Sequence, residues 1–200
     1  MFGTDSCVFP PRLTAFLGDR DGLKYTYSQK LNVSTMWHPL VAEAKVLLER
    51  VCREQLGRDV VFNVALLNLY QDGNHQVSWH SDNEIDLRDG SPIATLSLGV
   101  TRTFQLRHKS ESTIGAQQSI IGQRLKAGEV VSDEERALLP YKVGVDPEVN
   151  RTLHLGNGDL LVMAGDLQKH WRHRVPQESE VTDPRIVFTF RCVEDVNVVA

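Results

Sequence analysis

Three residues in two distant stretches of the sequence are of types that bind a metal ion. His80 and Asp82 are two residues apart at the end of a strand-like run, and in a strand this spacing places both side chains on one face. His173 lies much later in the chain. Two imidazoles and one carboxylate are the ligands of the facial triad, which holds iron(II) on one face and leaves the opposite face open. The sequence therefore predicts a mononuclear metal site.

A second histidine, His170, competes for the third ligand position. Trp171 and the pair Val175-Pro176 predict a partly buried and rigid setting for His173, so we favour His173 over His170. The alternative is that the first pair flanks a turn on the surface and that the later histidine is an ordinary core or surface residue.

The chain from 185 to 193 reads as a strand with two arginines on one face. Arg185, Thr189 and Arg191 share this face, and the opposite face is apolar (Ile186, Phe188, Phe190 and Cys192). The Cα atoms of the two arginines would lie about 20 Å apart, and their long side chains could lean together to clasp a small dianion. Buried arginines need such partners because an unpaired buried charge is costly. The alternative is an exposed strand with a solvated row of arginines.

A second strand offers neutral polar groups. Asn68 and Tyr70 share one face and could donate hydrogen bonds to a carboxylate, although a polar strand end is the simpler interpretation of this pair alone.

The surrounding elements predict a mainly β (α+β) fold. Pro39 and Gly57 bracket a helix over 39–56 that covers a sheet, with one apolar face formed by Leu40, Ala44, Leu47 and Val51. Later segments show period-two alternation, and these strands are 60–70, 93–98, 102–107, 160–163 and 185–193. Short strands after one leading helix favour a double-stranded β-helix (jelly roll) packed on that helix.

Residues 109–148 read as an insertion between strands. They predict short helices over 117–127 and 133–139, and Ser132 with Glu135 forms a capping box for the second.

Length and composition set broad limits. The 200 residues are 41% hydrophobic and 24% charged, which predicts a single domain over 1–200 with a substantial core. No apolar run approaches 18 residues, so we expect no membrane partner. The N-terminus lacks signal-peptide order, and the three cysteines (Cys7, Cys52 and Cys192) are widely spaced, which favours a reducing compartment, nucleus or cytoplasm. The net charge of −4 argues against a protein that coats nucleic acid by bulk electrostatics, but not against a local basic groove.

Taken in order, the motifs N-x-Y, H-x-D, W-x-H-x-V-P and R-x(5)-R resemble those of the AlkB family of iron(II)- and 2-oxoglutarate-dependent dioxygenases. The likeness covers roughly residues 10–108 and 152–193. It includes Trp79-His80-Ser81-Asp82, and also Pro11-Arg12-Leu13-Thr14-Ala15-Phe16 and Tyr25-Thr26-Tyr27-Ser28, which resemble the nucleotide-recognition lid of the repair-type animal members. The resemblance implies the jelly roll with such a lid over residues 10–30.

The resemblance also implies roles for single residues. His80, Asp82 and His173 would bind Fe(II). Arg185 would hold the distal carboxylate of 2-oxoglutarate, and the cosubstrate site would be completed by Asn68, Tyr70, Thr189 and Arg191. Substrate contacts would come from Glu84 and from two lid aromatics, Tyr27 and Phe16, although core or turn packing explains Phe16 equally well.

The implied activity is oxidative removal of N-methyl groups, of the 1-methyladenine and 3-methylcytosine type, from DNA or RNA. It would consume O₂ and 2-oxoglutarate and release formaldehyde, succinate and CO₂. Alternatives are an RNA-directed or protein-directed dioxygenase of the same fold, a non-catalytic nucleic-acid-binding relative, and a metal-dependent hydrolase, which would leave the arginine pair without a role.

Some features depart from the repair-type pattern. Val187 stands where repair members commonly carry Asn, and Asn83 stands where some carry a second acid. The chain begins close to the lid, so that either the sequence is truncated or invasion of duplexes is weak.

We expect a monomer acting on alkylated DNA or RNA, with single strands favoured. Local basic residues are available for this partner at Arg102, Arg107, His108, Lys109, Lys169, Arg172 and Arg174.

Overall fold

The structure, a computed structural model, describes residues 12–27, 30–140 and 150–194, and only the backbone of Tyr27, Lys30 and Ser112. Within these ranges the first part of the chain forms β1 (Leu13–Gly18), β2 (Lys24–Tyr27), β3 (Lys30–Val33), β4 (Thr35–Met36), α1 (Pro39–Leu56), β5 (Val64–Tyr70) and β6 (Val77–His80). The second part forms β7 (Ile93–Gly99), β8 (Arg102–His108), α2 (Lys109–Lys126), α3 (Asp133–Leu138), β9 (Asn150–Leu155), β10 (Leu160–Met163), α4 (Leu167–His170), β11 (Trp171–Val175) and β12 (Arg185–Arg191). No helix in these ranges is both long and apolar enough to cross a membrane.

Two sheets face each other, and this confirms the predicted jelly roll. The large sheet has the order β10-β7-β12-β5-β1-β4, and the small sheet has the order β6-β11-β8-β9. Their facing sides share an apolar cluster formed by Tyr70, Ile93, Phe104, Leu155, Met163, Val175 and Val187. The polar residues that the sequence predicts to be functional lie near this cluster, at the ends of the strands.

The helix α1 covers the other side of the large sheet, as predicted. Pro39 opens it, and Gly57, at φ 64°, closes it in the left-handed conformation that glycine adopts most easily. The predicted face was wrong, because Leu40 is 65% exposed while Val41, Leu48 and Cys52 are buried. Apolar residues occur on more than one side of this helix. The periodicity alone therefore does not determine which face is buried, and contact with the sheet does.

The alternation of β12 is as predicted, and the exposed-arginine alternative is wrong. Arg185, Thr189 and Arg191 are each less than 8% exposed and face the small sheet. The opposite side carries Phe188 and Phe190, which pack in the cluster beneath α1. Some strand bounds differ, since β5 begins at 64 rather than 60 and β12 ends at 191 rather than 193.

The predicted lid over 10–30 is divided between two parts of the fold. Contrary to the prediction, β1 is not a lid element, because it pairs along its whole length with β5 in the large sheet. The hairpin β2–β3 stands apart as a two-stranded sheet. Its Thr26 N–H donates to Asp86 Oδ2 at 2.8 Å, which ties the hairpin to the loop after β6. Residues 10, 11, 28 and 29 lie outside the described residues.

The insertion after β8 is helical, and its first helix is longer than predicted. α2 begins at Lys109 rather than 117, in a run of serine and threonine that has weak helix propensity. The His108 ring accepts the Ser110 N–H as a cap, and the buried Glu111 accepts a hydrogen bond from Asn150 at 2.9 Å. These tertiary contacts outweigh the propensity. The capping box of α3 is confirmed, while residues 141–149 of the insertion lie outside the described residues.

A buried arginine forms hydrogen bonds with the loops that follow β5 and β11 and so connects them. Arg102 is 1% exposed and donates to Glu178 Oε2 at 2.6 Å. It also donates to four backbone carbonyls, those of Asp72, Gly73, His75 and Pro176. A Cβ on Gly73 would lie 1.7 Å from the Glu178 carbonyl oxygen, so the close approach of these loops requires glycine.

Candidate metal centre and cosubstrate pocket

The three predicted ligands converge at one end of the small sheet. His80 ends the edge strand β6, and its cross-strand partner on β11 is His173. Asp82 lies two residues beyond His80, past the end of the strand, and its Oδ1 is 3.6 Å from His80 Nε2. One ligand atom from each of the three residues lies within 4.8 Å of the others.

Burial and charge hold these groups in the protonation states that bind a metal. Burial lowers the pKa of His173 to about 4, helped by the nearby His80. Burial also lowers the pKa of His80, so both imidazoles are neutral at neutral pH. Burial alone would raise the pKa of Asp82, but the charge of Arg191 and its hydrogen bond to the carboxylate lead the effects that lower this pKa below its usual value, so Asp82 is ionised at neutral pH.

The donor set fits iron(II). Asp82 Oδ1 and His173 Nδ1 are buried, and neither has a hydrogen-bond partner among the described residues. Buried polar atoms are almost always satisfied, so a carboxylate oxygen without a protein partner beside two imidazoles fits a site for a divalent cation.

Arg191 fixes the orientation of the carboxylate ligand. Its Nη2 donates to Asp82 Oδ2 at 2.8 Å, and its guanidinium lies over the ring of Tyr25, 5.5 Å from the centroid. Oδ2 is therefore occupied by the arginine, and Oδ1 is left for the metal. The two strand arginines line one pocket as predicted, and because Arg191 also pairs with Asp82, the clasp of a dianion between Arg185 and Arg191 stays a prediction.

The opposite end of this pocket holds a buried positive charge that forms no ion pair within residues 12–27, 30–140 and 150–194. Arg185 is 2% exposed, and its Nη2 donates to Ser97 Oγ at 2.7 Å. Its Nε and Nη1 have no hydrogen-bond partner among the described residues, and burial lowers its pKa. Because an arginine stays charged, these two nitrogens suit an anion, and a carboxylate matches their fork geometry.

Neutral donors and apolar walls complete the pocket, which is partly open to solvent. Asn68 and Tyr70 line it as predicted, and burial raises the pKa of Tyr70, so its hydroxyl remains a donor. Val187 is 7% exposed and supplies an apolar wall where an amide would be expected from the resemblance.

Sequence reasoning missed several residues of the site. Arg12 lines the pocket and donates from Nε to Asn68 Oδ1 at 2.8 Å. Gln168 accepts the Asp82 N–H through Oε1 at 2.9 Å. The alternation of Thr95 and Ser97 on β7 could have revealed the partner of Arg185, because both are polar residues on one face of an otherwise apolar strand.

The remaining predicted residues have different outcomes. His170 is exposed and stacks with His108, so the choice of His173 as the ligand is supported by the geometry. Phe16 is 8% exposed and stacks on Tyr25 in the core, which agrees with the core-packing interpretation rather than with a substrate contact. Glu84 is half-buried and accepts a hydrogen bond from the Tyr25 hydroxyl at 3.0 Å.

Tyr27 lies in the hairpin strand β2, but its side chain is outside the described residues. Its predicted contact with substrate stays a prediction. Asn83 is exposed on the loop that follows the aspartate ligand.

Comparison with known proteins agrees with this geometry. Residues 10–191 match the 2OG-Fe(II) oxygenase superfamily. The chain belongs to this superfamily. Its name states the expected metal, iron(II), and the expected cosubstrate, 2-oxoglutarate, and the site has residues suited to both.

Within the 2OG-Fe(II) oxygenases, the chain is similar to AlkB proteins, which confirms the resemblance found in the sequence. It is 35% identical over 184 residues to alpha-ketoglutarate-dependent dioxygenase alkB homolog 3 of Homo sapiens, covering 92% of this chain and 52% of that protein. It is 34% identical over 181 residues to DNA oxidative demethylase ALKBH2 of Mus musculus, covering 90% and 61%. The chain thus spans only about half the length of the first of these relatives. A solved structure described as the structure of OsALKBH1 superposes with a TM-score of 0.49 at 16% identity, covering 90% of this chain and 79% of that one.

Proposed function

We propose that this protein is an iron(II)- and 2-oxoglutarate-dependent oxidative demethylase that acts on N-methylated bases in DNA or RNA. The observation that carries the proposal is the composition of one pocket. At one end His80, Asp82 and His173 present a metal-binding set, and at the other end Arg185 presents two nitrogens that have no hydrogen-bond partner among the described residues. A dicarboxylate that binds the metal at one end can place its second carboxylate on this arginine.

The overall reaction exchanges a methyl group for a proton on the base nitrogen. When bound, iron(II) supplies the oxidising chemistry, in which O₂ and 2-oxoglutarate give succinate, CO₂ and an oxygen atom on the methyl carbon. The hydroxymethyl group then breaks its C–N bond: the electron pair stays on the base nitrogen, the carbon leaves as formaldehyde, and the hydroxyl proton passes to that nitrogen or to solvent. The protein has to orient the reactants and exclude competing reactions.

The residues of the chain divide this work. Arg185, Asn68 and Tyr70 would bind and orient the dicarboxylate, and Arg191 would keep the Asp82 carboxylate ionised and directed at the metal. The buried wall of Val187 and Phe104 limits the access of water to the pocket.

Support for a nucleobase substrate comes from the loop after Asp82 and from the relatives. Burial, and then the charge of Asp82, raises the pKa of Glu84, whose carboxyl group lies close to the metal ligands and to the hairpin β2–β3. Glu84 and Tyr27 are our candidates for contact with a base that has left its stack, a step that is less costly in single strands. One of the similar proteins is named a DNA oxidative demethylase.

The test is formaldehyde release from matched oligonucleotides that carry 1-methyladenine or 3-methylcytosine, as DNA or RNA and as single or double strands. Wild-type protein with iron(II), 2-oxoglutarate and ascorbate should release formaldehyde and succinate in equal amounts, and more from single strands. Asp82→Ala should release neither, while His170→Gln, a matched change at an exposed histidine, should retain activity. Folded, iron-loaded wild-type protein that releases no formaldehyde from any of these substrates would contradict the proposal.

A further inference from the structure

A cluster of arginines lies on the side of the small sheet that faces away from the pocket. Arg107 on β8 and Arg172 and Arg174 on β11 alternate with residues that face the pocket side, such as Leu106 and His173. Trp79 on β6 lies beside them. We call these four residues the basic face.

The guanidinium groups of the basic face are held in place. Those of Arg107 and Arg174 lie over the Trp79 ring, 4.5 and 4.7 Å from its centroid. Each also donates its Nε to a neutral amide, that of Asn150 at 3.3 Å and that of Gln105 at 2.6 Å. The terminal N–H groups of both arginines make no hydrogen bond in the described part of the chain.

Positive charge is concentrated here without acidic compensation. Arg172 lies directly opposite Arg107 in the β8–β11 register, and like charges in this position repel. The pKa of Arg174 is lowered first by burial and second by the charge of Arg107. The pKa of Lys109 is lowered first by burial and second by the charge of Arg172. Across residues 12–27, 30–140 and 150–194, no carboxylate lies within 4.0 Å of any of the three arginines.

Internal stabilisation explains only part of this arrangement. Contact between a guanidinium and the indole is favourable, which accounts for Arg107 and Arg174. Arg172 is exposed, makes no hydrogen bond or ion pair with the described residues, and repels its neighbours. The complete set is therefore better explained by an anionic partner than by the stability of the sheet.

The position of the basic face connects it to the pocket. Trp79 and Arg174 are the chain neighbours of two metal ligands, His80 and His173, on the opposite side of the same strands. β6 is an edge strand of the small sheet, and the His80 side chain, at 23% exposure, is more open than that of Asp82 at 1%. The pocket thus opens beside β6, and an extended chain that leaves it over this edge reaches Trp79 and then the arginines.

We propose that the basic face binds the phosphates of single-stranded nucleic acid next to the base held in the pocket. Phosphate groups are negatively charged and accept paired hydrogen bonds, so they complement the guanidinium groups in charge and geometry. A local patch of arginines can bind them although the whole sequence carries a net charge of −4. This inference rests on the proposed nucleic-acid substrate. The basic face would hold the nucleic-acid strand in place through its phosphates, without distinguishing one base sequence from another.

The test is equilibrium binding of a long, unmethylated thymidine oligonucleotide, measured by fluorescence anisotropy over a range of salt concentrations. The variants are Arg172→Gln and the double variant Arg172→Gln/Arg174→Gln. The matched control is Arg50→Gln, which removes the same charge from an exposed position on α1, the helix that covers the large sheet. Thermal unfolding of each variant checks that the fold is retained.

Each lost phosphate contact should reduce the slope of log K against log salt concentration by about 0.7. Affinity should fall by roughly threefold to tenfold for each arginine removed, while Arg50→Gln binds as the wild type does. Unchanged affinity and slope in a folded Arg172→Gln variant would overturn the proposal, and so would an equal loss in Arg50→Gln, because that would indicate an effect of net charge alone.

Formaldehyde release from a methylated single-stranded oligonucleotide by the wild-type protein, measured in parallel, separates the two proposals. Absence of release by the folded, iron-loaded protein counts against the demethylase and leaves the binding result as it stands. Salt-dependent binding that is insensitive to the arginines counts against the basic face and leaves the demethylase as it stands.

Discussion

Arg191 and Asp82 form a buried ion pair across the pocket, with Nη2 and Oδ2 2.8 Å apart and both side chains at most 3% exposed. The pair joins the last strand of the large sheet to the loop that follows the edge strand of the small sheet. It holds one carboxylate oxygen, and so determines which oxygen is presented to the metal.

Replacing Arg191 should therefore weaken metal binding although the arginine is not a ligand. In Arg191→Gln the Asp82 carboxylate loses its positive neighbour and its orientation, and groups that orient ligands are typically worth about 10–100-fold in metal affinity. Titration of the apo-protein with iron(II) without oxygen measures this loss. Arg191→Lys keeps the charge and should recover part of the affinity. Equal affinity of Arg191→Gln and the wild type would show that the pair does not position the ligand.

Replacing Arg185 should affect the cosubstrate and leave the metal unaffected. Removing one partner of a buried charge pair costs about 2–5 kcal/mol, so the KM for 2-oxoglutarate should rise by roughly 30-fold or more in Arg185→Gln. The measurement is succinate formation at varied 2-oxoglutarate concentration, together with the iron(II) affinity as the control. A normal KM, or a loss of iron affinity of the same size, would remove this arginine from the cosubstrate site.

The two neighbouring histidines should behave differently. His173→Gln removes a buried imidazole of the metal site and should abolish tight iron binding, whereas His170→Gln changes an exposed side chain and should bind iron normally. Iron content after dialysis against iron(II) compares the two variants directly. The reverse result would exchange their assignments.

The contact between Glu178 and Arg102 should make stability depend on pH. Burial would raise the pKa of Glu178, but hydrogen bonds from Thr103 and Arg102 outweigh it and hold the pKa below its usual value of 4.5. A depressed pKa means that this stabilisation is fully present above about pH 4.5 and is lost as the pH falls through the lower, folded-state pKa.

Glu178→Gln should therefore lower the free energy of unfolding by about 3 kcal/mol at neutral pH, since it leaves the buried Arg102 charge uncompensated. Urea unfolding across the acidic range should show the difference from the wild type shrinking below about pH 4.5. A difference that stays constant with pH would show that packing, and not the ionised carboxylate, is responsible.

The parts of this site that the sequence predicts are those with a local signature. Alternation along β12 places Arg185, Thr189 and Arg191 on one face whatever surrounds them, and two-residue spacing brings His80 near Asp82. The alternation does not determine whether this face is buried, and the packing of the small sheet over it decides that Arg185 and Arg191 are buried.

The remaining features depend on contacts between distant segments. Asp82 and Arg191 are 109 residues apart, and no local pattern shows that they pair. The buried face of α1 was predicted one residue out of phase because only the sheet distinguishes Val41 from Leu40. The sequence assigns the β1 segment to a lid, and only its pairing with β5 shows that it belongs to the large sheet.

The central claim is that one pocket binds iron(II) through His80, Asp82 and His173 and 2-oxoglutarate through Arg185. The most direct measurement is an anaerobic titration of the iron(II)-loaded protein with 2-oxoglutarate, followed by the visible charge-transfer absorption that appears when a 2-oxo acid chelates iron(II). The band should saturate at one equivalent in the wild type, require much more 2-oxoglutarate in Arg185→Gln, and be absent in Asp82→Ala. A folded wild-type protein without the band, or an Asp82→Ala variant that keeps it, would contradict the account.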